Sequence, residues 1–320
     1  MQNGSEKQPL VILTGPTAVG KSNLSIALAK QIGGEIISAD SMQVYRHMDI
    51  GSAKISREQM QGVPHHLLDV VDPTQPFDVT IFQAMAREAA EQIRSRGKLP
   101  ILVGGTGFYI QALLYDIEFE DDSRDADLRR ELEQQALQMG PAYMHDLLKE
   151  VDPQSAETIP AGNVKRVIRA LEYYKLTGET IFSHNMTQRQ KESPYNFAYF
   201  VLTDERQKLY DAIDRRVDEM MKEGLEEEVR KLMEMGVKKE DTSMQGLGYR
   251  EIYSCLSGDY PLEEAVRLIK RNTRHFAKRQ LTWFGREKEV IWIPKSEYSY
   301  SEEKILEYML SVLTEKGIKS

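Results

Sequence analysis

A single cysteine, Cys255, stands in a chain of 320 residues. One thiol cannot build a disulfide framework within the chain or a cysteine-based zinc site, and it fits a reducing, cytoplasmic setting. Long apolar runs are missing too. None reaches ten residues, whereas a bilayer-crossing helix needs about 20, so no membrane association is expected. Met1 to Gln8 is polar and reads as a frayed tail rather than an apolar leader. Internal repeats and low-complexity tracts are absent. The histidine pair His65 and His66 follows Pro64 with no third ligand type at metal spacing, and reads as structural. Positive charge is outweighed overall: 42 Lys and Arg against 50 Asp and Glu give a net charge of −8, which averaged over the chain argues mildly against a nucleic-acid partner. The average misleads. Eight Lys or Arg residues and one Glu lie between Val266 and Lys288, while acidic residues concentrate at Glu118–Asp127 and Glu223–Glu228. Such asymmetry allows a basic surface on an acidic protein.

What is present begins at Leu10–Leu13, an apolar run that reads as a buried strand. It enters Gly15-Pro16-Thr17-Ala18-Val19-Gly20-Lys21-Ser22, which fits G-x-x-x-x-G-K-[ST], and a helix over Asn23–Gln31 follows. Strand, loop and helix in that order are the context of a genuine phosphate-binding loop. The glycines let successive amides turn toward an anion, and the helix N-terminus adds partial positive charge. Lys21 would reach phosphate oxygens, and the Ser22 hydroxyl would ligate Mg²⁺. The chain is therefore expected to bind a phosphate or pyrophosphate ester.

Further strands are expected at Gly34–Ser38, Leu99–Val103, Asn196–Leu202 and Val290–Ile293. Helices are expected at Val79–Arg96, Phe108–Leu114, Glu205–Glu223, Glu226–Met235, Leu262–Trp283 and Glu302–Glu315. Met42–Pro76 reads as irregular. Alternation of strand and helix predicts an α/β fold, a phosphate-loop parallel sheet with ligands at the carboxyl ends of its strands. The phosphate loop, Asp40 and Thr106 all fall at such ends. Between Asp121 and about residue 195 only helices are expected: Asp127–Met139, Ala142–Glu150, Pro153–Ile159 and Asn163–Thr177, closed by a polar tract at Ser183–Ser193. The expected division is a core of residues 1–120 and 196–320 carrying a helical insertion, 121–195.

Several ordered stretches carry a family likeness. Ser38-Ala-Asp-Ser-Met-Gln-Val-Tyr-Arg46, Met48-Asp-Ile-Gly51, Pro64-His-His-Leu-Leu-Asp69, Val103-Gly-Gly-Thr-Gly-Phe-Tyr-Ile110, Arg166-Val-Ile-Arg-Ala-Leu-Glu172, Gly246-Leu-Gly-Tyr249 and Ala277-Lys-Arg-Gln-Leu-Thr-Trp283, with the phosphate loop, resemble the tRNA dimethylallyltransferases. The likeness runs from about Leu10 to Trp292. Gly162-Asn163-Val164 stands where the family usually has Asn-Asp, and Gly285 where it usually has Arg. The family's eukaryotic zinc-finger extension is missing, which points to the bacterial type.

The resemblance implies transfer of a dimethylallyl group from dimethylallyl diphosphate to the exocyclic amine of the adenosine 3′ to the tRNA anticodon, with Mg²⁺ as cofactor. Residues Gly15–Ser22 would then hold the diphosphate of an isoprenoid rather than ATP, where donors stabilise the charge of a leaving pyrophosphate. Asp40 is the candidate base, since an aromatic amine is a poor nucleophile until it sheds a proton; the alternative is a water-mediated magnesium ligand. Thr106 would meet the diphosphate or Asp40, or else cap the helix that follows it. Arg216, rather than Arg215, would meet pyrophosphate; the alternative is an ordinary surface charge. Asp40, Ser41, Met42, Gln43 and Thr106 would form the lip entered by a flipped-out base, with the Gln43 amide pairing an adenine edge. Family tRNA contacts fall on Lys165, Arg166, Val167, Ile168 and Arg169, on Gln245, Gly246, Leu247, Gly248, Tyr249 and Arg250, and on Lys278, Arg279 and Gln280; Arg129, at the start of the insertion, is a further candidate. Taken without the family, such charges are as often a solvated face. A monomer is expected. Two other readings are weighed: a dimethylallyltransferase acting on free AMP or ATP, which would need neither the insertion nor the basic helix, and a nucleotide kinase.

Overall fold

The computed structural model describes residues 7–119 and 126–319. In chain order the elements are β1 (Gln8–Thr14), α1 (Lys21–Ile32), β2 (Gly34–Ala39), β3 (His65–His66), α2 (Val79–Ser95), β4 (Leu99–Gly104), α3 (Gly107–Leu114), α4 (Ala126–Val151), α5 (Pro153–Thr158), α6 (Val164–Thr177), α7 (Ile181–Gln190), β5 (Tyr195–Thr203), α8 (Arg206–Glu223), α9 (Leu225–Glu234), α10 (Tyr249–Leu256), α11 (Leu262–Phe284), β6 (Val290–Pro294) and α12 (Glu302–Glu315). They form two compact units, Met1–Leu114 with Pro194–Ser320, and Tyr115–Ser193. The boundary expected at 120/121 lies outside the described residues. Among the described residues no helix is long and apolar enough to cross a membrane.

The larger unit is built on a six-stranded sheet in the order β3-β2-β4-β1-β5-β6, parallel throughout. β1 lies in its middle, with Val11 opposite Ile101 on one side and Ala198 on the other. Leu10–Leu13 and Ala198–Val201 are buried residue after residue, because helices cover both faces and leave no solvent side to alternate with. Parallel strands bring the segments after β1, β2 and β4 to one end of the sheet. The helix ends follow local chemistry. Asp78 caps α2, its carboxylate accepting from the Thr80 and Ile81 amides, and the Ser301 hydroxyl accepts from the Lys304 amide at the start of α12.

The smaller unit is helical and packs its own core, including Leu132, Met144, Leu148, Val167, Ile168 and Leu171. The two helices expected on either side of Gly140-Pro141 are there, run together as α4 across a break at Gly140, whose φ is 83°. The polar tract is a correction. Residues 181–190 form α7, which has no apolar stripe to advertise it. It is held instead from outside its own pattern: Thr180 caps it through the Ser183 amide, and the buried Asp152 carboxylate accepts from the Phe182 amide at 3.2 Å.

Candidate active site

The loop after β1 carries the G-x-x-x-x-G-K-[ST] motif. Gly15 has φ 147°, and a Cβ there would lie 2.2 Å from the Leu202 carbonyl oxygen, so the chain passes only as glycine. Lys21 folds over the loop, its Nζ donating to the Gly15 and Pro16 carbonyls at 2.9 and 2.8 Å. Burial pushes the Lys21 ammonium down to about 7; the Arg216 charge adds to the fall and the Asp40 carboxylate opposes it. Burial likewise lowers Arg216, against the pull of Asp40, Glu219 and Glu223. Arg216 donates to Thr17 Oγ1 at 3.4 Å. It lines the cavity, whereas its neighbour Arg215 is exposed.

The segment after β2 supplies the acid. Asp40 Oδ1 accepts from the Met42 and Gln43 amides at 2.8 and 3.3 Å. That turn fixes the carboxylate and leaves Oδ2 without a donor among the described residues. The segment after β4 supplies Thr106. Its hydroxyl accepts from the Ser41 amide at 3.2 Å, so it ties the β4 end to the acid's turn instead of serving the following helix.

These groups surround a cavity of about 280 Å³. Thr17, Asp40, Ser41, Thr106 and Arg216 form its polar side. Ile213, Val217 and Met220 of α8, with Ile269 and Phe276 of α11, form an apolar wall. Met42, Gln245, Gly246, Leu247, Arg250 and Arg279 also border it. The apolar wall was not read from the sequence, though its signal is there: 213, 217 and 220 share the face of α8 that carries Arg216. Two partly desolvated cations facing one carboxylate make a site for an anion, with an apolar compartment beside it.

Other expected site residues are placed differently. Ser22 is the second residue of α1, is exposed and does not border the cavity. Gln280 is buried; its Oε1 accepts from the Thr17 amide and its Nε2 donates to the Gly105 carbonyl, both at 2.9 Å. The expectation of an RNA contact is corrected there: both ends of the amide clip two loops of the site together. The Gln43 amide is engaged as well, accepting from Ser38 Oγ at 3.1 Å and donating to the Ser52 and Ala53 carbonyls. It supports the lip rather than offering a free edge to adenine. Tyr249 is fully buried, and its hydroxyl is spent on Glu228 and Ser52. Gly246 and Gly248 are buried beside it, while Gln245 and Arg250 are exposed; Lys278 is exposed on α11. His65 is bonded to the Val63 carbonyl and His66 to Glu35.

In the smaller unit, Lys165 and Arg166 are exposed, and Arg129 and Arg169 are partly so, each within 3.4 Å of Oε2 of the fully buried Glu172. Val167 and Ile168 point into that unit's core. Their expected RNA contact is corrected in the same sense, since a side chain on the apolar face of α6 has no access to a ligand.

Residues 43–287 match the IPP transferase family. The chain is 58% identical to a tRNA dimethylallyltransferase of Lachnoclostridium phytofermentans, over 97% of this chain and 99% of that one. It is 48% identical to one of Acetivibrio thermocellus, over 97% and 98%. A crystal structure of a full-length tRNA isopentenylpyrophosphate transferase of Bacillus halodurans superposes with TM-score 0.73 at 45% identity, covering 98% of both chains. A eukaryotic dimethylallyltransferase acting on tRNA gives TM-score 0.73 at 28% identity, covering 90% of this chain and 74% of that one.

Proposed function

The chain belongs to the IPP transferase family, and we propose that it transfers a dimethylallyl group from dimethylallyl diphosphate to the exocyclic nitrogen of the adenosine 3′ to the anticodon in tRNA. The observation that carries this reading is the composition of one cavity: Arg216, with Lys21 close by, at an anion-binding loop, an apolar wall, and a carboxylate with one uncommitted oxygen. A diphosphate needs the first, a five-carbon chain the second and an amine nucleophile the third.

In the reaction, the adenine nitrogen forms a bond to the terminal carbon of the allylic chain. The carbon–oxygen bond to the diphosphate breaks, and its electron pair leaves with pyrophosphate. The amine proton passes to Asp40 Oδ2. The amides of the Gly15–Ser22 loop other than those of Thr17 and Val19, which are bonded to Gln280 and the Pro16 carbonyl, hold the diphosphate with Lys21 and Arg216 and balance the charge that grows on it. Thr106 steadies the turn that aims Asp40. The wall of α8 and α11 keeps water from the allylic carbon. The Ser22 hydroxyl at the start of α1 is an oxygen donor of the kind Mg²⁺ takes beside phosphate and water; when bound the ion would help neutralise the leaving group. Lys165, Arg166 and Arg169, Arg129, Arg250, Lys278 and Arg279 are the proposed backbone contacts to tRNA, and the enzyme acts where tRNA is found, in the cytoplasm.

The test is single-turnover transfer from radiolabelled dimethylallyl diphosphate, with unmodified tRNA and AMP as parallel acceptors. Label in tRNA alone is expected. Label in AMP would make a free nucleotide the acceptor, and ATP turnover without transfer would make the protein a phosphotransferase; either result refutes the proposal.

A further inference from the structure

One side of the cavity is a loop with no chemistry of its own, and it is held from behind. Gly51 and Ser52 border the cavity. On the far side of the loop stands Glu228 of α9. Its Oε2 accepts from the amides of Asp49 and Ile50 at 2.9 and 2.8 Å, and its Oε1 from the amide of Gly51 at 3.1 Å. Oε1 also accepts from the Tyr249 hydroxyl at 2.7 Å, which in turn accepts from the Ser52 amide at 3.1 Å. Two side chains thus satisfy four successive backbone N–H groups. Amides that converge in this way form a concave positive site, and here the protein's own carboxylate fills it.

The fit is tight. A Cβ on Gly51 would lie 2.5 Å from the Tyr249 ring and 2.9 Å from a methyl of Leu225, so the loop backbone rests directly on the ring. Tyr249 is fully buried, and burial together with the Glu228 carboxylate holds its phenol well above the ordinary range, so it stays a donor.

From this loop a line of hydrogen bonds reaches the acid. The Ser52 and Ala53 carbonyls accept from the side-chain Nε2 of Gln43, and the backbone N–H of the same residue donates to Asp40 Oδ1. Glu228 itself does not border the cavity and touches neither Lys21 nor Arg216. Its reach is therefore to the wall beside Asp40 and not to the anion.

We propose that Glu228 is a positioning residue for the transfer: through the Asp49–Ser52 amides and Gln43 it sets the wall against which the acceptor base is held before Asp40. The proposal rests on the function argued above. It predicts a split effect. Glu228→Gln keeps the shape of the side chain but turns an acceptor into a donor facing N–H donors, so the loop must shift while the phosphate loop stays in place.

The test uses the full chain, tRNA and dimethylallyl diphosphate. Glu228→Gln is expected to lower kcat by roughly tenfold to a hundredfold, the usual consequence of an ångström-scale misplacement. KM for dimethylallyl diphosphate should stay within about twofold, as uniform binding is untouched. Tyr249→Phe keeps the ring under Gly51 and removes only the hydroxyl, so its kcat should fall in the same direction but less; if Glu228→Gln does not fold, this variant decides. An unchanged kcat, or a loss that appears equally in the KM for the diphosphate, overturns the proposal. Transfer by the parent chain is measured beside them, and its absence would overturn the functional reading itself.

Discussion

Replacing Asp40 with Asn separates the two roles open to this carboxylate. The variant keeps Oδ1, which accepts from the Met42 and Gln43 amides, so the turn after β2 should persist. What changes is Oδ2, which becomes a donor amide and cannot take the proton of the adenine amine. Loss of a positioned base costs about 10²- to 10⁴-fold, equal to about 2.7–5.4 kcal/mol at 1.36 kcal/mol per factor of ten. Binding of the diphosphate should move little, because two effects oppose. Removing the carboxylate takes a repulsive charge from the anion, but it also withdraws the support that Asp40 gives to the charged form of Lys21. The assay is single-turnover transfer at saturating tRNA and dimethylallyl diphosphate, with the diphosphate Kd measured separately. A single-turnover rate within about threefold of the parent's would sink the base assignment, being too small for a lost proton acceptor. A weakened Kd with the rate recovered at saturation would make Asp40 a ligand of the metal that accompanies the diphosphate instead.

Three more outcomes follow from the same geometry. Lys21, held near 7 in the free site, is charged below that pH and loses its charge above it; diphosphate binding favours the charged form, so affinity should weaken by up to about tenfold per pH unit above 7. Measuring the dimethylallyl diphosphate Kd between pH 7.5 and 9 checks this, because the last ionisation of an esterified phosphate, near 6, is then complete, and a flat profile refutes it. Gln280→Ala removes the clip between Thr17 and Gly105; two hydrogen bonds at about 0.5–1.5 kcal/mol each should appear as a higher KM for the diphosphate with tRNA affinity unchanged, and a tRNA defect alone would restore the RNA-contact reading. Glu172→Gln should release Arg129 and Arg169, whose contacts of 3.3 and 3.4 Å are long and about one-third exposed. A loss of about 0.5–1 kcal/mol, or two- to fivefold in Kd for an anticodon stem-loop, is expected, and an unchanged Kd at low salt would refute it.

The parallel sheet and the meeting of three strand ends were legible in the sequence because each signal is local. A phosphate loop announces itself in eight residues, and Asp40 and Thr106 are placed by the strands that precede them. The helix α7 was not legible: its hold comes from Asp152, 30 positions away, and no periodicity within residues 181–190 reports that. The errors of role have another source. Gln280 and Tyr249 sit within motifs whose neighbours are exposed and basic, and position in a motif does not say which way a side chain faces. Helix phase does. Along α11 the buried residues Ile269, Ala277 and Phe284 mark the inner face, and at 100° per residue Gln280 lies only about 20° from Ile269 whereas Lys278 lies about 180° away. An amide on that inner face must find partners inside the protein, since a buried polar group left unpaired costs about 1–3 kcal/mol. The stripe therefore already separated the residue that shapes the site from its solvent-facing neighbour. What it could not supply was the partner: the Thr17 amide, 263 positions earlier in the chain, becomes visible only once β1 and α11 have packed.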